Sequence, residues 1–350
     1  MWQIIKLNEM TIYNKILLGL LVILSFSCKQ KVKVEPPYTL MFYNVENLFD
    51  TVSNPNKLDY DFLPDTPKEW NSEKYFKKLK DLSKVIAAVD SSNLPVIVGV
   101  CEVENDVVLN DLVNQPRLKP ANYQVVWTEG PDVRGIDCAL LYNPSVFTLV
   151  GFEPLRVNDP DDYNFITRDV LYVEGLMAGE TFHIFVNHWP SRRGGADDSA
   201  PKRILAANVV RKKVDQILSA TNQANIIIMG DMNDEPADMS LTDILVALPN
   251  TTVPENHHLV NLMYDEFEAD EGSYSYRGTW DMIDNLIVSG FLINKTKGLS
   301  TQLDNGKIFH QPFMEYVNNR GEVSPNRTYG RSYFGGISDH FPVYLTLDLK

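Results

Sequence analysis

A chain of 350 residues that is 44% hydrophobic and 22% charged has enough apolar mass for a large core, which excludes a mainly disordered protein. Its formal net charge of −14 argues against tight, unassisted binding along a nucleic acid, although a bound cation can reverse the local field at a phosphate site. Three cysteines exclude a disulfide framework; Cys101 and Cys138 lie in apolar runs and are predicted to be buried free thiols.

The first 28 residues differ from the rest of the chain. Lys15 precedes a mostly apolar stretch at residues 16–26, which is too short to span a bilayer comfortably, and Cys28 follows. This pattern is typical of a bacterial lipoprotein signal with the lipid on Cys28; simple secretion is the alternative. Removal of residues 1–27, whose net charge is +1, leaves a mature chain of −15. We expect a polar tether at 29–37 and a single domain at 38–350.

The rest of the chain contains more predicted strands than predicted helices. Apolar runs predict strands at 38–47, 95–105, 123–130, 136–144, 170–189 (a hairpin turning at Ala178-Gly179), 224–234, 280–290 and 341–349. Helical stripes cover 72–90, with Ser72 as N-cap, and 201–220, with Pro201 near the start. Many strands with few helices favour stacked sheets with helices outside, and 291–337 is interpreted as a long functional loop region.

Polar residues end most of these apolar runs. They include acids, amides and imidazoles with complementary chemistry: Asn44, Glu102, His188, Asp231, Asn233, Asp284, Asp339 and His340. Loops at one rim of a rigid scaffold are where sites are assembled, so we expect these residues to converge. The carboxylate and amide oxygens among them are hard ligands that suit Mg²⁺, Mn²⁺ or Ca²⁺, and the sequence contains no zinc-type motif.

The spacing of these residues also indicates acid–base chemistry. Asp231 and Asn233 are two apart, so in an extended segment both side chains face one way and can orient a water molecule. His340 can act as a base with Asp284 as its partner, while His188 suits phosphate contact or protonation of a leaving group. Each residue also has a structural explanation, as a strand end, a turn residue in "GDMND" or a packed histidine beside Trp189.

Three arginines stand on glycine-flanked loops near the same rim. Arg134 lies in "DVRGID", and Arg192 and Arg193 lie in "SRRGG". A guanidinium binds phosphate oxygens as a fork, which predicts phosphate contacts within an acidic chain. Ordinary exposed basic loops are the alternative.

The ordered motifs "NVENLFD", "GVCEVEN", "RGIDCALLY", "NHWPSRRGG", "GDMND", "WDMIDNLIVS" and "SDHFPV" resemble those of the endonuclease/exonuclease/phosphatase superfamily, which includes deoxyribonuclease I. The resemblance runs from about residue 39 to 346. It implies an α/β four-layer sandwich of the deoxyribonuclease I type, in which two packed, mostly antiparallel β-sheets are flanked by helices.

The resemblance also implies roles. The family's metal-site positions match Asn44 and Glu102, and Asp339 matches a further metal or water contact. The positions that orient water and contact phosphate match Asp231 and Asn233, and the carboxylate–imidazole pair matches Asp284 and His340. The other catalytic histidine matches His188, and a strand tyrosine matches Tyr142, which is assigned with the three arginines to phosphate binding. Asn285 stands where the family commonly has tyrosine, and the acid that pairs with the second histidine of deoxyribonuclease I has no counterpart here.

Together these observations predict a metal-dependent phosphoester hydrolase, a nuclease that cleaves phosphodiesters by in-line attack of water with Mg²⁺ as cofactor. Fold alone does not fix substrate, so a phosphatase or phosphodiesterase acting on inositol phosphates or phospholipid headgroups is the alternative, followed by a non-enzymatic binding lipoprotein. The expected partners are nucleic acid or a small phosphoester as substrate and a membrane through the lipid anchor only, with no obligate protein partner. The chain is expected to be exported and membrane-anchored.

Overall fold

Two seven-stranded β-sheets dominate the computed structural model, which describes residues 34–330 and 332–350. The strands, in chain order, are β1 (Tyr38–Leu48), β2 (Ile97–Val103), β3 (Gln124–Trp127), β4 (Asp137–Tyr142), β5 (Phe147–Leu155), β6 (Val170–Met177), β7 (Glu180–His188), β8 (Asn225–Asp231), β9 (Ala247–Pro249), β10 (Leu259–Asn261), β11 (Tyr274–Tyr276), β12 (Thr279–Asp281), β13 (Asp284–Ser289), β14 (Leu299–Ser300), β15 (Lys307–Ile308), β16 (Glu315–Val317), β17 (Val323–Pro325) and β18 (Val343–Leu349). The α-helices are α1 (Ser72–Val89), α2 (Asp106–Val113), α3 (Ala196–Ala220), α4 (Tyr264–Glu268) and α5 (Gly290–Asn294).

The pairing of these strands is mostly antiparallel, as predicted. The first sheet has the order β14-β18-β1-β2-β4-β3, with β15 also paired to β18, and the second has the order β5-β6-β7-β8-β13-β10-β9. Parallel pairs join β1 to β2, β7 to β8 and β9 to β10. Two separate hairpins, β11–β12 and β16–β17, complete the topology.

Helices cover the outer face of each sheet, which confirms the four-layer sandwich. The apolar stripe of α1, including Leu79 and Leu82, packs with Val98 of the first sheet, whereas Val210 of α3 packs with Ile228 of the second. The inner faces meet so closely that a Cβ on Gly99 of β2 would lie 2.6 Å from the Met229 sulfur of β8. Glycine at 99 therefore lets the two sheets approach each other.

One long helix begins at Ser72, as predicted, although its N-cap differs, and the other begins earlier than predicted. Asn71, not Ser72, caps α1, because its side chain accepts a hydrogen bond from the backbone N–H of Lys74. Helix α3 begins at Ala196, before the predicted Pro201, and places Asp197 and Asp198 in its first turn, where the helix dipole favours acids.

The remaining predictions have mixed outcomes. Cys101 and Cys138 are free and buried, as predicted. Residues 291–337 are less regular than the rest but contain β14–β17, so the description as one long loop was wrong. The predicted signal segment, with Cys28, and residues 29–33 of the predicted tether lie outside the described residues. In the part of the chain that the structure describes, no helix has the length and apolarity needed to cross a membrane.

Candidate active site

Strand pairing brings the predicted polar residues to one end of both sheets. Asp231 ends β8, where it is opposite His188 of the parallel strand β7 and opposite Asp284 of the antiparallel strand β13. Asn44 of β1 is opposite Cys101 of β2, one residue before Glu102. Positions that are far apart in the sequence are thereby placed on neighbouring strands at one rim.

The amide of Asn44 connects the two sheets at this rim. Its Nδ2 lies 3.0 Å from Asp231 Oδ2, 3.4 Å from Glu102 Oε1 and 3.4 Å from His340 Nε2. His188 approaches the same carboxylates, since its Nε2 is 3.7 Å from both Glu102 Oε1 and Asp231 Oδ2. The five side chains thus form one cluster, which we call the rim cluster.

Irregular backbone turns Glu102 toward the rim cluster. The register between β2 and β4 shifts between Cys101 and Val103, and Glu102 has a φ of +62°. The backbone N–H of Asn47 donates to Glu102 Oε2 at 2.9 Å, which holds the carboxylate. Bulges and left-handed non-glycine residues of this kind cluster where a side chain must be re-aimed at a functional site.

His340 belongs to a buried relay of three side chains. Its Nδ1 lies 2.7 Å from Asp284 Oδ2, and that oxygen also accepts a hydrogen bond from Ser273 Oγ. Burial opposes the charged ring, but the carboxylates of Asp284, Asp231 and Asp339 outweigh it and raise the pKa of His340 well above its usual value. The ring is therefore an imidazolium at neutral pH, with Nε2 directed into the rim cluster.

His188 has the opposite electrostatic character. Burial, together with the positive charges of Arg168, Arg134 and His340, holds the pKa of His188 well below its usual value, so this ring is neutral. Arg168 also donates from Nε to the backbone carbonyl of His188 and from a terminal nitrogen to that of Trp189, at 3.1 and 2.6 Å. The sequence analysis did not single out Arg168, which stands in an unremarkable "ITRDV" segment.

The loop after β8 is held by its own polar groups. The backbone N–H of Asn233 donates to Asp231 Oδ1 at 2.9 Å, and its Nδ2 donates to the Trp189 carbonyl at 3.0 Å. Arg192 donates from Nε to the Asn233 carbonyl at 2.8 Å and pairs with Asp238 at 3.1 Å. Arg192 therefore stabilises this loop, and its guanidinium already has partners within the protein, the Asn233 carbonyl and the Asp238 carboxylate.

Asp339 lies beside the rim cluster with an arginine partner of its own. Its Oδ2 is 3.0 Å from a terminal nitrogen of Arg327, and its Oδ1 is 4.0 Å from His340 Nε2. Arg327 also approaches Glu46 Oε1 at 3.4 Å, and the ring of Tyr274 packs at 4.9 Å from that of His340. Glu46, Tyr274 and Arg327 were not predicted; Glu46 is two residues from Asn44, whereas nothing in the sequence places Tyr274 or Arg327 beside the rim cluster.

The sequence profile of the Endonuclease/Exonuclease/phosphatase family matches residues 39–349. The chain belongs to this family. The predicted enzyme class, a hydrolase of phosphate esters, is thereby confirmed at the level of the family. A comparison with curated protein sequences found no match.

Solved structures agree with the family fold. D. rerio TDP2 complexed with a single-strand DNA product has a TM-score of 0.54 at 14% identity, covering 89% of this chain and 98% of its own. The human Nocturnin catalytic domain with bound sulfate has a TM-score of 0.53 at 17% identity, covering 91% and 97%. A mannosyl-6-phosphatase from Bacteroides thetaiotaomicron has a TM-score of 0.55 at 16% identity, covering 89% and 99%.

One phosphate-binding assignment made through the family resemblance was wrong. Tyr142 is opposite Ile97, at the end of β4 remote from the rim, and its ring packs against Phe147. Asp137 begins β4 at the rim, and five residues of strand span about 17 Å. Arg134 is half-exposed near Glu102 and pairs with Asp132 at 3.0 Å, whereas Arg193 is exposed in the segment before α3.

The donor set of this family member fits a hard divalent cation. Oxygens of Glu102 and Asp231 converge on the same Asn44 and His188 nitrogens, and burial raises the pKa of Asp231 to about 7 although the charged His340 opposes the shift. Ligand atoms of Asp231, Asp284 and His340 also lie within 4.8 Å of one another. Because Asp284 and His340 already bond each other, Glu102 and Asp231 are the better ligands.

Two of the predicted metal ligands are engaged elsewhere. Asn44 directs its N–H group into the rim cluster, while its Oδ1 accepts a hydrogen bond from the backbone N–H of Glu46 at 3.0 Å. Asn44 thus acts here as a hydrogen-bond donor to carboxylates, and its predicted part in metal binding stays a prediction. Asp339 pairs with Arg327 through Oδ2 and directs Oδ1 toward His340, whereas Glu102 shares its Asn44 and His188 contacts with Asp231.

Proposed function

We propose that this chain is a metal-dependent phosphodiesterase that cleaves nucleic acid by in-line attack of water on phosphorus. The convergence of two carboxylates, an amide and a charged imidazole at one rim carries the proposal. Glu102 and Asp231 meet at Asn44, and His340 points its Nε2 at the same amide. Within the described residues, oxygen ligands and proton donors lie together at this rim, on the ends of strands that belong to the family fold.

Each side chain has a defined part in the reaction. Asp231, held by the N–H groups of Asn44 and Asn233, orients the attacking water and accepts its proton. His340, kept charged by Asp284, donates a hydrogen bond to a phosphoryl oxygen. Glu102 and Asp231 would hold a divalent cation, which when bound would neutralise the charge that develops on the phosphate and on the leaving oxygen.

The neutral ring of His188 completes this arrangement. Its Nε2 stands beside Glu102 and Asp231, on the side of the rim cluster away from Asp284. A neutral imidazole places no second fixed positive charge next to His340. It is therefore suited to donate one hydrogen bond to the phosphate or to the leaving oxygen.

Nucleic acid is the substrate class that we propose, and one neighbour in fold, TDP2, is described with a single-strand DNA product. The second candidate is a small phosphoester, since another neighbour is described as a mannosyl-6-phosphatase. The predicted net charge of −15 for the mature chain also favours a substrate without a long polyanionic track.

We further propose that the chain is exported and anchored to a membrane through lipid on Cys28. The apolar stretch at residues 16–26 and its basic flank support this proposal. Cys28→Ser should shift the protein from the membrane fraction to the soluble fraction, as fractionation and immunoblotting would show. Equal retention of the variant in the membrane fraction would contradict the anchor.

A substrate panel tests the enzymatic proposal. The purified chain is incubated with Mg²⁺ or Mn²⁺ and plasmid DNA, RNA, inositol phosphates or sphingomyelin. His340→Ala serves as the inactive variant, and His257→Ala, a change at an exposed histidine in a polar loop, is the matched control. Nucleic-acid cleavage that is lost in His340→Ala and kept in His257→Ala supports the proposal, whereas activity on headgroups alone overturns it.

A further inference from the structure

A concave pocket of about 650 Å³ opens beside the rim cluster. The β11–β12 and β16–β17 hairpins and the following chain up to Asp339 form its walls, and we call it the hairpin pocket. Its volume lies within the range of about 300–1,000 Å³ that is typical of small-molecule sites. Two of its lining residues, Tyr274 and Asp339, approach His340 directly. A group attached to a phosphate at His340 would therefore continue into the hairpin pocket.

The walls of the hairpin pocket carry aromatic rings that are open to solvent. Tyr276, Tyr316 and Phe334 are 53%, 55% and 58% exposed, although large aromatic side chains normally contribute to cores. Exposed rings gathered around a concave surface mark ligand-binding sites. Every nucleobase has a flat π-face, and stacking on such rings is a common mode of single-strand recognition.

The hairpin pocket also presents cationic groups. The guanidinium of Arg277 lies over the Tyr276 ring at 5.0 Å, and Arg320 lines the opposite hairpin. Within the described part of the chain, no carboxylate forms an ion pair with either guanidinium. The acids in the lining are engaged, since Glu322 accepts a hydrogen bond from Asn318 and Asp339 pairs with Arg327.

Arg277 occupies a backbone position that does not suit arginine. It has a φ of +54° and is followed by Gly278 with a φ of +87°, so the pair forms the two-residue turn of the β11–β12 hairpin. Turns with two positive φ angles strongly prefer asparagine, aspartate or glycine at the first position. This turn places Arg277 at the tip of the β11–β12 hairpin, where its side chain lines the hairpin pocket.

We propose that the hairpin pocket binds the nucleotide unit attached to the scissile phosphate, with its base on the exposed rings and an adjoining phosphate on Arg277 and Arg320. The inference rests on the proposed function and defines its substrate further. A pocket of this volume accepts one or two nucleotides of a single strand but cannot hold a duplex. The enzyme therefore prefers single-stranded over double-stranded nucleic acid.

Binding to the full chain carrying His340→Ala tests ring recognition without turnover. Calorimetry with adenosine 5′-monophosphate, ribose 5-phosphate and mannose 6-phosphate should show the nucleotide bound about tenfold more tightly than either sugar phosphate, because only the nucleotide offers a base for stacking. Equal affinities, or tighter binding of mannose 6-phosphate, would overturn the inference.

Variants locate the binding in the hairpin pocket. Added to His340→Ala, Tyr276→Ala and Arg277→Gly should each weaken nucleotide binding several-fold, and glycine at 277 relieves the turn, so loss of folding cannot explain its effect. Tyr163→Ala and Arg117→Gln, at exposed positions outside the pocket lining, are matched controls that should keep the affinity. Unchanged binding in both pocket variants would overturn the inference.

Turnover by the wild-type chain separates the inference from the proposed function. Single-stranded and duplex DNA of one sequence should be cleaved at rates that differ at least tenfold in favour of the single strand. Equal rates would overturn the inference and leave the proposed function intact. Nucleotide binding at the hairpin pocket without hydrolysis of any phosphodiester would support the inference about the pocket and overturn the proposed function.

Discussion

Two histidines lie near the Asp231 carboxylate, yet their other neighbours favour different charges on the two rings. His340 has Asp284 at 2.7 Å, which stabilises the imidazolium enough to outweigh the cost of burial. His188 is 3.7 Å from its nearest carboxylate oxygens and is also close to Arg168 and Arg134, which disfavour a further positive charge. The neighbours of His340 thus favour its charged ring and those of His188 favour its neutral ring, which gives the two histidines different roles toward a bound phosphate.

Removal of the charge on Asp284 tests this division. Asp284→Asn keeps the shape of the side chain but removes the carboxylate that holds His340 protonated, so we expect kcat to fall by about 10²- to 10⁴-fold. The pKa of His340, followed by NMR, should fall in the same variant. A variant that retains wild-type kcat, or in which the pKa of His340 does not move, would contradict the assigned role.

Arg168 is the position where a buried charge supports the rim most directly. Its guanidinium pairs with the buried Asp132 at 3.2 Å and binds the carbonyls of His188 and Trp189. Arg168→Met should lower the free energy of unfolding by about 3–5 kcal/mol, because it leaves the Asp132 charge buried with less compensation. Urea denaturation measures the loss.

A second arginine provides the matched control for that change. Arg211 of α3 pairs with the exposed Asp215 one helical turn away, and its Nε donates to Asp215 Oδ1 at 2.9 Å. Its replacement by methionine should lower the free energy of unfolding by about 1 kcal/mol or less, because solvent screens the pair. Equal losses for the two variants would show that Arg168 contributes no more than a surface ion pair.

At the scale of elements, the sequence predicted the strands and the strand ends that bear the polar side chains of the site, because apolar runs and the polar residues that end them are local signals. It predicted β1, β2, β8 and β13 together with the polar residues at their rims. It did not predict Ser273 beside Asp284, since the two are joined through strand pairing and a hairpin. The error at Tyr142 has a different cause: the assignment came from the family resemblance of the motif around it, but the direction of the strand in the sheet decides which rim a residue faces.

Helix α1 supports the chain beside the site through Lys78, which is buried, and through Lys77, whose Nζ donates to the Gly335 carbonyl. Lys78 donates from Nζ to Thr328 Oγ1 at 2.6 Å and to the Ile337 carbonyl at 3.0 Å, and Glu46 accepts the backbone N–H groups of Thr328 and Tyr329. These contacts hold both ends of residues 328–337, which lie between Arg327 and the motif that carries His340.

Lys78→Met tests that role of α1. Methionine keeps most of the volume but donates no hydrogen bond, so amide exchange should accelerate in residues 328–337 while the strand cores stay protected. Lys80→Met, on the exposed face of the same helix, is the matched control and should leave exchange unchanged. Uniform acceleration across the whole chain would instead indicate global destabilisation.

At the scale of the whole molecule, several buried acids make stability depend on pH. Burial is the main cause that raises the pKa values of Glu104 and Asp137 to about 7, as it does for Asp231. An acid whose pKa is higher in the folded than in the unfolded state binds its proton more tightly when folded. Its contribution is favourable at low pH and is lost as the pH rises through the folded-state value. These acids therefore lower stability between about pH 4 and 7.

Asp137→Asn isolates one such contribution. The buried Asp137 accepts a hydrogen bond from the Gly130 N–H at Oδ1, and its Oδ2 has no hydrogen-bond partner within the described chain. The side-chain amide of the variant cannot ionise. The free energy of unfolding should therefore fall less steeply with rising pH in the variant than in the wild type, by about 1.4 kcal/mol per pH unit between about pH 4 and 7. Urea titrations across that range measure the slope, and parallel curves for variant and wild type would refute the assignment.

The overall charge bears on how a polyanionic substrate reaches the site. A basic nuclease releases many counterions on binding, so its kcat/KM on long nucleic acid falls steeply with salt. This chain has a formal net charge of −14 and repels a polyanion at a distance, and added salt screens that repulsion.

With the divalent cation concentration fixed, kcat/KM on a long single strand should stay level or rise between about 50 and 200 mM salt. A mononucleotide ester measured in parallel controls for effects of salt on the chemical step. A steep fall for the long strand alone would mean that the protein follows the substrate along an extended basic surface, and recognition would then not be confined to the rim cluster and the hairpin pocket.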